Sequence, residues 1–135
     1  MKLKQLSLFL ENEPKHLKAP CHVMANEGIN ILTLSLADTD QFGILRLLVD
    51  DWEKAVAALE KAGHAVTVTD VLAIEIDDRP GGLAGLLDII DQAGLNIEYV
   101  YAFPGGTQGK AILVFRFGDP DAAIANLQGR GLKVL

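Results

Sequence analysis

The residues best placed to do chemistry lie in one short turn, Asp78-Arg79-Pro80-Gly81-Gly82-Leu83. Pro80 fixes the local backbone, and Gly81 and Gly82 carry no Cβ, so a ligand can reach unpaired N–H groups where a helix begins. The positive end of a helix suits an anion such as a carboxylate. Asn96 is a companion to this turn, because an amide side chain offers a donor and an acceptor to the two charged ends of a zwitterion. Other constellations support less. His16 and His22 lie six positions apart on an expected helix, on different faces, and cannot share a metal there. Cys21 and His22 are adjacent, so they diverge by about 100° on that helix and make a poor nucleophile and base. The acidic clusters Asp50-Asp51, Asp77-Asp78 and Asp119/Asp121 fall at strand-to-helix turns, where capping and the helix dipole account for them. No glycine-rich phosphate loop follows a parallel strand. The sequence therefore assigns no catalytic residue, no metal ligand and no cofactor.

The elements that must position the turn form a duplicated unit. At an offset of 66, Pro14 meets Pro80, Leu17 meets Leu83, and Gly28, Asn30 and Ile31 meet Gly94, Asn96 and Ile97. Beyond that the offset becomes 68, so that Ile44 meets Ile112, Asp51 meets Asp119, Leu59 meets Leu127 and Gly63 meets Gly131. A loop near Pro104-Gly105-Gly106 absorbs the two extra residues. Leu6, Leu8 and Leu10, and Leu72, Ile74 and Ile76, alternate as half-buried strands. Leu83, Leu86, Leu87 and Ile90 repeat at helical spacing and end at Gly94, as a C-terminal cap would end them. Second strands follow, with Leu32, Leu34 and Leu36 on one face in the first copy and Ile97, Tyr99 and Tyr101 on one face in the second. Third strands run over 44–49 and 111–117. Asp51 and Asp119-Pro120 then open the second helices, and short last strands over 65–69 and 132–135 close each copy.

The order strand-helix-strand-strand-helix-strand predicts an α+β protein of two ferredoxin-like βαββαβ repeats, with antiparallel sheets and helices on one face. The boundaries are 1–69 and 70–135. Pro20 falls inside the first helix of the first copy and must remove a hydrogen bond or delay the helix start. Phe9, Ile44, Leu48, Val100, Ile112 and Val114 alternate onto the face away from the helices, an apolar surface that wants a partner.

Composition narrows the function. The 135 residues carry 12 Lys plus Arg against 18 Asp plus Glu, a net charge of −6, and half are apolar. That is enough for a buried core and gives no field for nucleic acid. There is no apolar run of membrane-spanning length and no secretory signal, which predicts a cytoplasmic protein with neither membrane nor nucleic-acid partners. Cys21 stands alone, so it forms no intramolecular disulfide.

DRPGGLAGLLDIIDQAGLNIEYVYAF resembles the ACT domain, and LSLADTDQFGILRLLVDDWEKAVAALEKAG resembles the stand-alone tandem ACT proteins of bacteria and archaea. The proline turn and the G-x-N-I segment after it, present in both copies, carry the resemblance. It implies a regulatory protein that binds an amino acid or similar effector at interfaces between ACT domains, usually as a homodimer, with no chemistry of its own. The family's ligand turn corresponds to Arg79, Pro80, Gly81, Gly82 and Leu83, and its second-strand polar position to Asn96 and Asn30. The first copy departs from the pattern, with Lys15-His16 where the family has glycine. The segment 37–43 resembles the tandem family's hairpin, whose Thr39 and Asp40 would reach a neighbouring domain's ligand. Two alternatives stand beside this reading. One is a ligand-free interaction subunit that docks on a metabolic enzyme or regulator. The other is an acylphosphatase-type enzyme, which needs an Arg centred among consecutive backbone donors, a setting that Arg79 lacks.

Overall fold

The computed structural model describes residues 2–11, 13–38 and 41–135. In chain order the elements are β1 (Lys2–Glu11), α1 (Lys18–Asn26), β2 (Ile31–Asp38), β3 (Phe42–Val49), α2 (Trp52–Lys61), β4 (Thr67–Asp77), α3 (Gly82–Gln92), β5 (Ile97–Phe103), β6 (Lys110–Phe117) and α4 (Pro120–Gly129). The chain packs as two compact units, Lys4–Thr69 and Asp70–Leu135, the latter together with Lys2 and Leu3.

In the first unit β1 and β2 pair antiparallel with β3 on either side. Leu6 lies opposite Leu47 and Leu8 opposite Leu45. Cross-strand partners share a face, so these four leucines form one surface. Met24 of α1 and Ala55 and Leu59 of α2 cover it, and all seven side chains are fully buried. In the second unit β4 and β5 flank β6, with Leu72 opposite Phe115 and Ile74 opposite Leu113. Leu86 and Ile90 of α3 and Ala123 and Leu127 of α4 close this core. The rings of Phe115 and Phe117 stack at 5.8 Å. Each copy is the ferredoxin-like α+β repeat that its periodicity predicts.

The helix boundaries follow from capping. The carboxylates of Asp51 and Asp119 accept hydrogen bonds from the N–H groups of Lys54 and Ala122, and Pro120 follows Asp119 in the first turn. Gly28, Gly63, Gly94 and Gly131 all take positive φ just past a helix, the left-handed step that ends it. In α1 the helix starts late enough to accommodate a proline. Pro20 is the third residue of a helix that starts at Lys18, where an N–H would have no intrahelical acceptor to lose.

Four expectations need correction. The short last strand of the first copy and the first strand of the second are one continuous strand, β4. The last strand of the second copy shrinks to a bridge between Val134 and Ile74. A register shift between Ile97 and Tyr99 breaks the expected alternation of β5. Val100 therefore lies opposite Phe115, on the helix side, while Tyr101 lies opposite Val114 on the other face. Finally, Leu34 and Leu36 share the face of Leu47 and Leu45, yet they stay 45% and 41% exposed, because β2 is the outer strand of its unit and the helices pack over β1 and β3.

Phe115 is fully buried, and replacing it with Ala removes a ring that the core cannot collapse to fill. A cost of about 3–5 kcal/mol is expected for Phe115→Ala, measured as a lowered urea midpoint with an unchanged denaturant slope.

Candidate functional site

The turn that joins β4 to α3 is built around two glycines with different reasons to be glycine. Gly81 has φ +85° with open space where a Cβ would be, so it supplies a left-handed step that costs other residues roughly 1–2 kcal/mol. Gly82 is required by proximity, since a Cβ there would lie 2.1 Å from the carbonyl oxygen of Asp77. With that atom absent, α3 begins directly against the end of β4.

The N–H of Gly82 is already spent on the carbonyl of Arg79 at 3.0 Å, and the carbonyl of Gly81 accepts from Gly85 at 2.9 Å. Among the described residues, the N–H groups of Gly81, Leu83 and Ala84 have no partner. They are the donors that a helix start presents to an anion.

The turn opens onto a cleft of about 410 Å³ bounded by Glu75, Asp77, Arg79, Lys110, Lys133 and the glycines 81, 82, 85 and 131. Asp77 and Lys110 lie directly opposite at the ends of β4 and β6. Lys110 Nζ donates to Asp77 Oδ1, and Arg79 Nε donates to Asp77 Oδ2 at 3.3 Å. Lys133 Nζ stands 3.7 Å from Glu75 Oε2. The hydrogen bond and charge of Lys110, then those of Arg79, hold the Asp77 carboxyl below its ordinary value of 3.8. The same bond raises the Lys110 ammonium.

Of the sequence-derived site residues, Arg79, Gly81 and Gly82 line this cleft. Pro80 and Leu83 are exposed and do not line it. Asn96 is elsewhere, in a separate hollow with Leu87, Asp88 and Asp91 at the far end of α3. Eleven helical residues separate the two ends, about 16 Å at the α-helical rise. One amino acid cannot touch both Asn96 and the turn of its own copy. Asn30 donates its backbone N–H to Asp50 Oδ1 at 3.0 Å, and its carbonyl accepts from Asp50 N–H. Thr39 and Asp40 fall outside the described residues.

Sequence reasoning missed Glu75, Asp77, Lys110 and Lys133. Pairing the first strand with the third would have set Asp77 against Lys110. Reading the Asp77-Asp78 cluster as capping is also corrected, because Asp77 is ion-paired.

The turn of the first copy opens on its own cleft, about 380 Å³, lined by Glu11, Glu13, Lys15, His16, Ala19 and His64 among others. Lys15 takes φ +71° at the place of Gly81, and His16 Nδ1 bonds the carbonyl of Glu13. Burial raises the Cys21 thiol, the reverse of what a nucleophile needs. Among the described residues no group of three His, Cys, Asp or Glu could hold a metal, and no helix is long and apolar enough to cross a membrane.

Two ferredoxin-like repeats, each with a strand-to-helix turn opening on a cleft, define a tandem module with the regulatory ACT fold. The sequence matches the ACT domain pair over residues 1–132, and the chain belongs to that family. Protein BT0572 of Bacteroides thetaiotaomicron is 38% identical, with all of this chain and 92% of that one superposed at a TM-score of 0.92. The regulatory subunit of aspartate kinase from Thermus thermophilus, in its ligand-free form, is 17% identical over 93% of this chain and 88% of its own, at 0.70. Its counterpart from Thermus flavus is 17% identical over 93% and 88%, at 0.64. These last two likenesses are of fold. No curated protein matches the chain.

Because Asp77 titrates lower in the folded than in the unfolded chain, it stabilises the fold above its unfolded value. That contribution disappears as pH falls through the lower, folded value. Stability should therefore drop more steeply below pH 3.8 in the native protein than in Lys110→Met. NMR titration of the Asp77 carboxyl should show its midpoint rising in the variant.

Proposed function

We propose that this ACT domain pair is a cytoplasmic, non-catalytic regulatory protein that binds an amino acid in the cleft of its second copy. The observation that carries the reading is the set of unpartnered N–H groups on Gly81, Leu83 and Ala84, beside a cleft of about 410 Å³ with charges of both signs on its walls. An α-carboxylate suits the free amides at the start of α3, and an ammonium suits the carboxylates of Glu75 and Asp77.

A homodimer completes the proposal. Asn96 and the turn stand at opposite ends of α3, so a ligand that uses both takes the asparagine from a neighbouring domain. The outer strands support such a partner, with Leu34, Leu36 and Val100 each more than 40% exposed. Unpaired edge strands with apolar side chains favour association. The exposed row Leu32, Leu34 and Leu36 also favours a second reading, a subunit that docks on a metabolic enzyme without any small ligand.

A thermal-shift screen against the twenty amino acids separates the two readings. A bound amino acid at 100 times its Kd should add about 2.7 kcal/mol of stability, and Gly81→Val should abolish the shift. No shift with any amino acid, together with a stoichiometric protein partner retained in pulldown, would favour docking instead. Analytical ultracentrifugation should give twice the chain mass, and Leu34→Glu should return it to that of one chain.

A further inference from the structure

We infer that the ligand of the second-copy cleft is an acidic amino acid whose side-chain carboxylate is received by Arg79 and Lys110. The inference rests on the amino-acid reading above and names the class of ligand.

One carboxylate serves two cations at the mouth of this cleft. Asp77 accepts from Lys110 through Oδ1 and from Arg79 through Oδ2, while Glu75 pairs with Lys133 and also lies within the field of Lys110. Three cations thus stand against two carboxylates, and the start of α3 adds a partial positive charge. A neutral zwitterion would leave this excess uncompensated, and a cationic amino acid would add to it. An amino acid with a second carboxylate balances it.

The donors are also available in kind. Arg79 uses Nε on Asp77, and among the described residues its terminal nitrogens have no partner; they are the pair that grips a carboxylate in bidentate fashion. Its side chain is 71% exposed and Lys110's 41%, so both can turn toward a ligand without a change in the turn and the strand that carry them. Lys110 has one bond made and two N–H donors to spare.

The first copy provides an internal contrast. In the same cross-strand register, Glu11 lies opposite Phe42 where Asp77 lies opposite Lys110. Glu13 stands at the place of Arg79. The first-copy cleft therefore has two carboxylates and one lysine, with two histidines. The positive excess belongs to the second copy alone, and it comes from the two residues assigned here to the ligand.

Isothermal titration of the full chain with aspartate, glutamate, asparagine, glutamine and lysine tests the inference. One of the two acids should bind about tenfold or more tightly than its own amide, as a charge-assisted pair implies, and lysine should bind weakest. That preference should shrink as salt rises. Lys110→Gln should collapse the ratio of acid to amide toward one. Arg79→Gln, at a more exposed position, repeats the measurement should the first variant lose its circular dichroism spectrum. An amide that binds as tightly as its acid, or lysine as the tightest ligand, overturns the acidic class and leaves amino-acid binding standing. A chain that binds none of the five, yet responds to another amino acid, also overturns the class alone. Silence across all twenty overturns both.

Discussion

The approach of α3 to the end of β4 is the constraint on which the second-copy site depends. A Cβ at position 82 would lie 2.1 Å from the Asp77 carbonyl oxygen, so only glycine lets the helix start where it does. That start sets Gly81 and Gly82 in one cleft with the strand ends that carry Asp77 and Lys110. The first copy shows the same path without the glycine. His16 stands at the place of Gly82, and α1 begins two residues later, at Lys18, than the repeat would place it. The delay then makes Pro20 harmless, because it falls in the first turn, where its missing N–H has no helical acceptor. Glycine and proline, read together, explain why one copy opens its helix against the strand and the other does not.

Duplication has let the two copies divide in electrostatics while each keeps the same pattern of core residues. Leu45 and Leu59 of the first unit and Leu113 and Leu127 of the second occupy equivalent places in their packing. The cross-strand pair at the end of the first strand has diverged, with Glu11 against Phe42 in one copy and Asp77 against Lys110 in the other. Exposed ion pairs contribute little to stability. An exposed carboxylate that holds two cations therefore does little as a brace for the fold, and in the proposed site it keeps positive charge in place.

Periodicity and capping made the fold legible. Leu6 and Leu8, Leu72 and Ile74, and the caps Asp51 and Asp119 could all be read because each depends on neighbours a few residues away. The failures share a different cause. The shift between Ile97 and Tyr99 belongs to the pairing of β5 with β6, and sequence alternation alone carries no trace of it. The leucines of β2 point to the core face, but their exposure depends on how far two helices reach across a sheet. In the site, Gly81 and Gly82 were legible from local backbone chemistry. Lys110, 33 positions from Asp77, could be found only through strand register, and the separation of Asn96 from the turn of its own copy only through the length of α3.

That length bears on regulation. A ligand lying wholly within one cleft stabilises its own copy but has no differential contact with any arrangement of neighbouring domains, and so cannot shift one arrangement against another. Asn96, at the opposite end of α3 from Gly81, is the kind of group that supplies the difference, because a ligand on the turn meets such an asparagine only when another domain brings it. The coupling is bounded by what that second contact adds. A single hydrogen bond to a charged group contributes about 1.5–3 kcal/mol, enough to move an equilibrium between arrangements by roughly ten- to a hundredfold. On the proposed reading, a helix too long for one ligand to span ties ligand binding to the joining of domains.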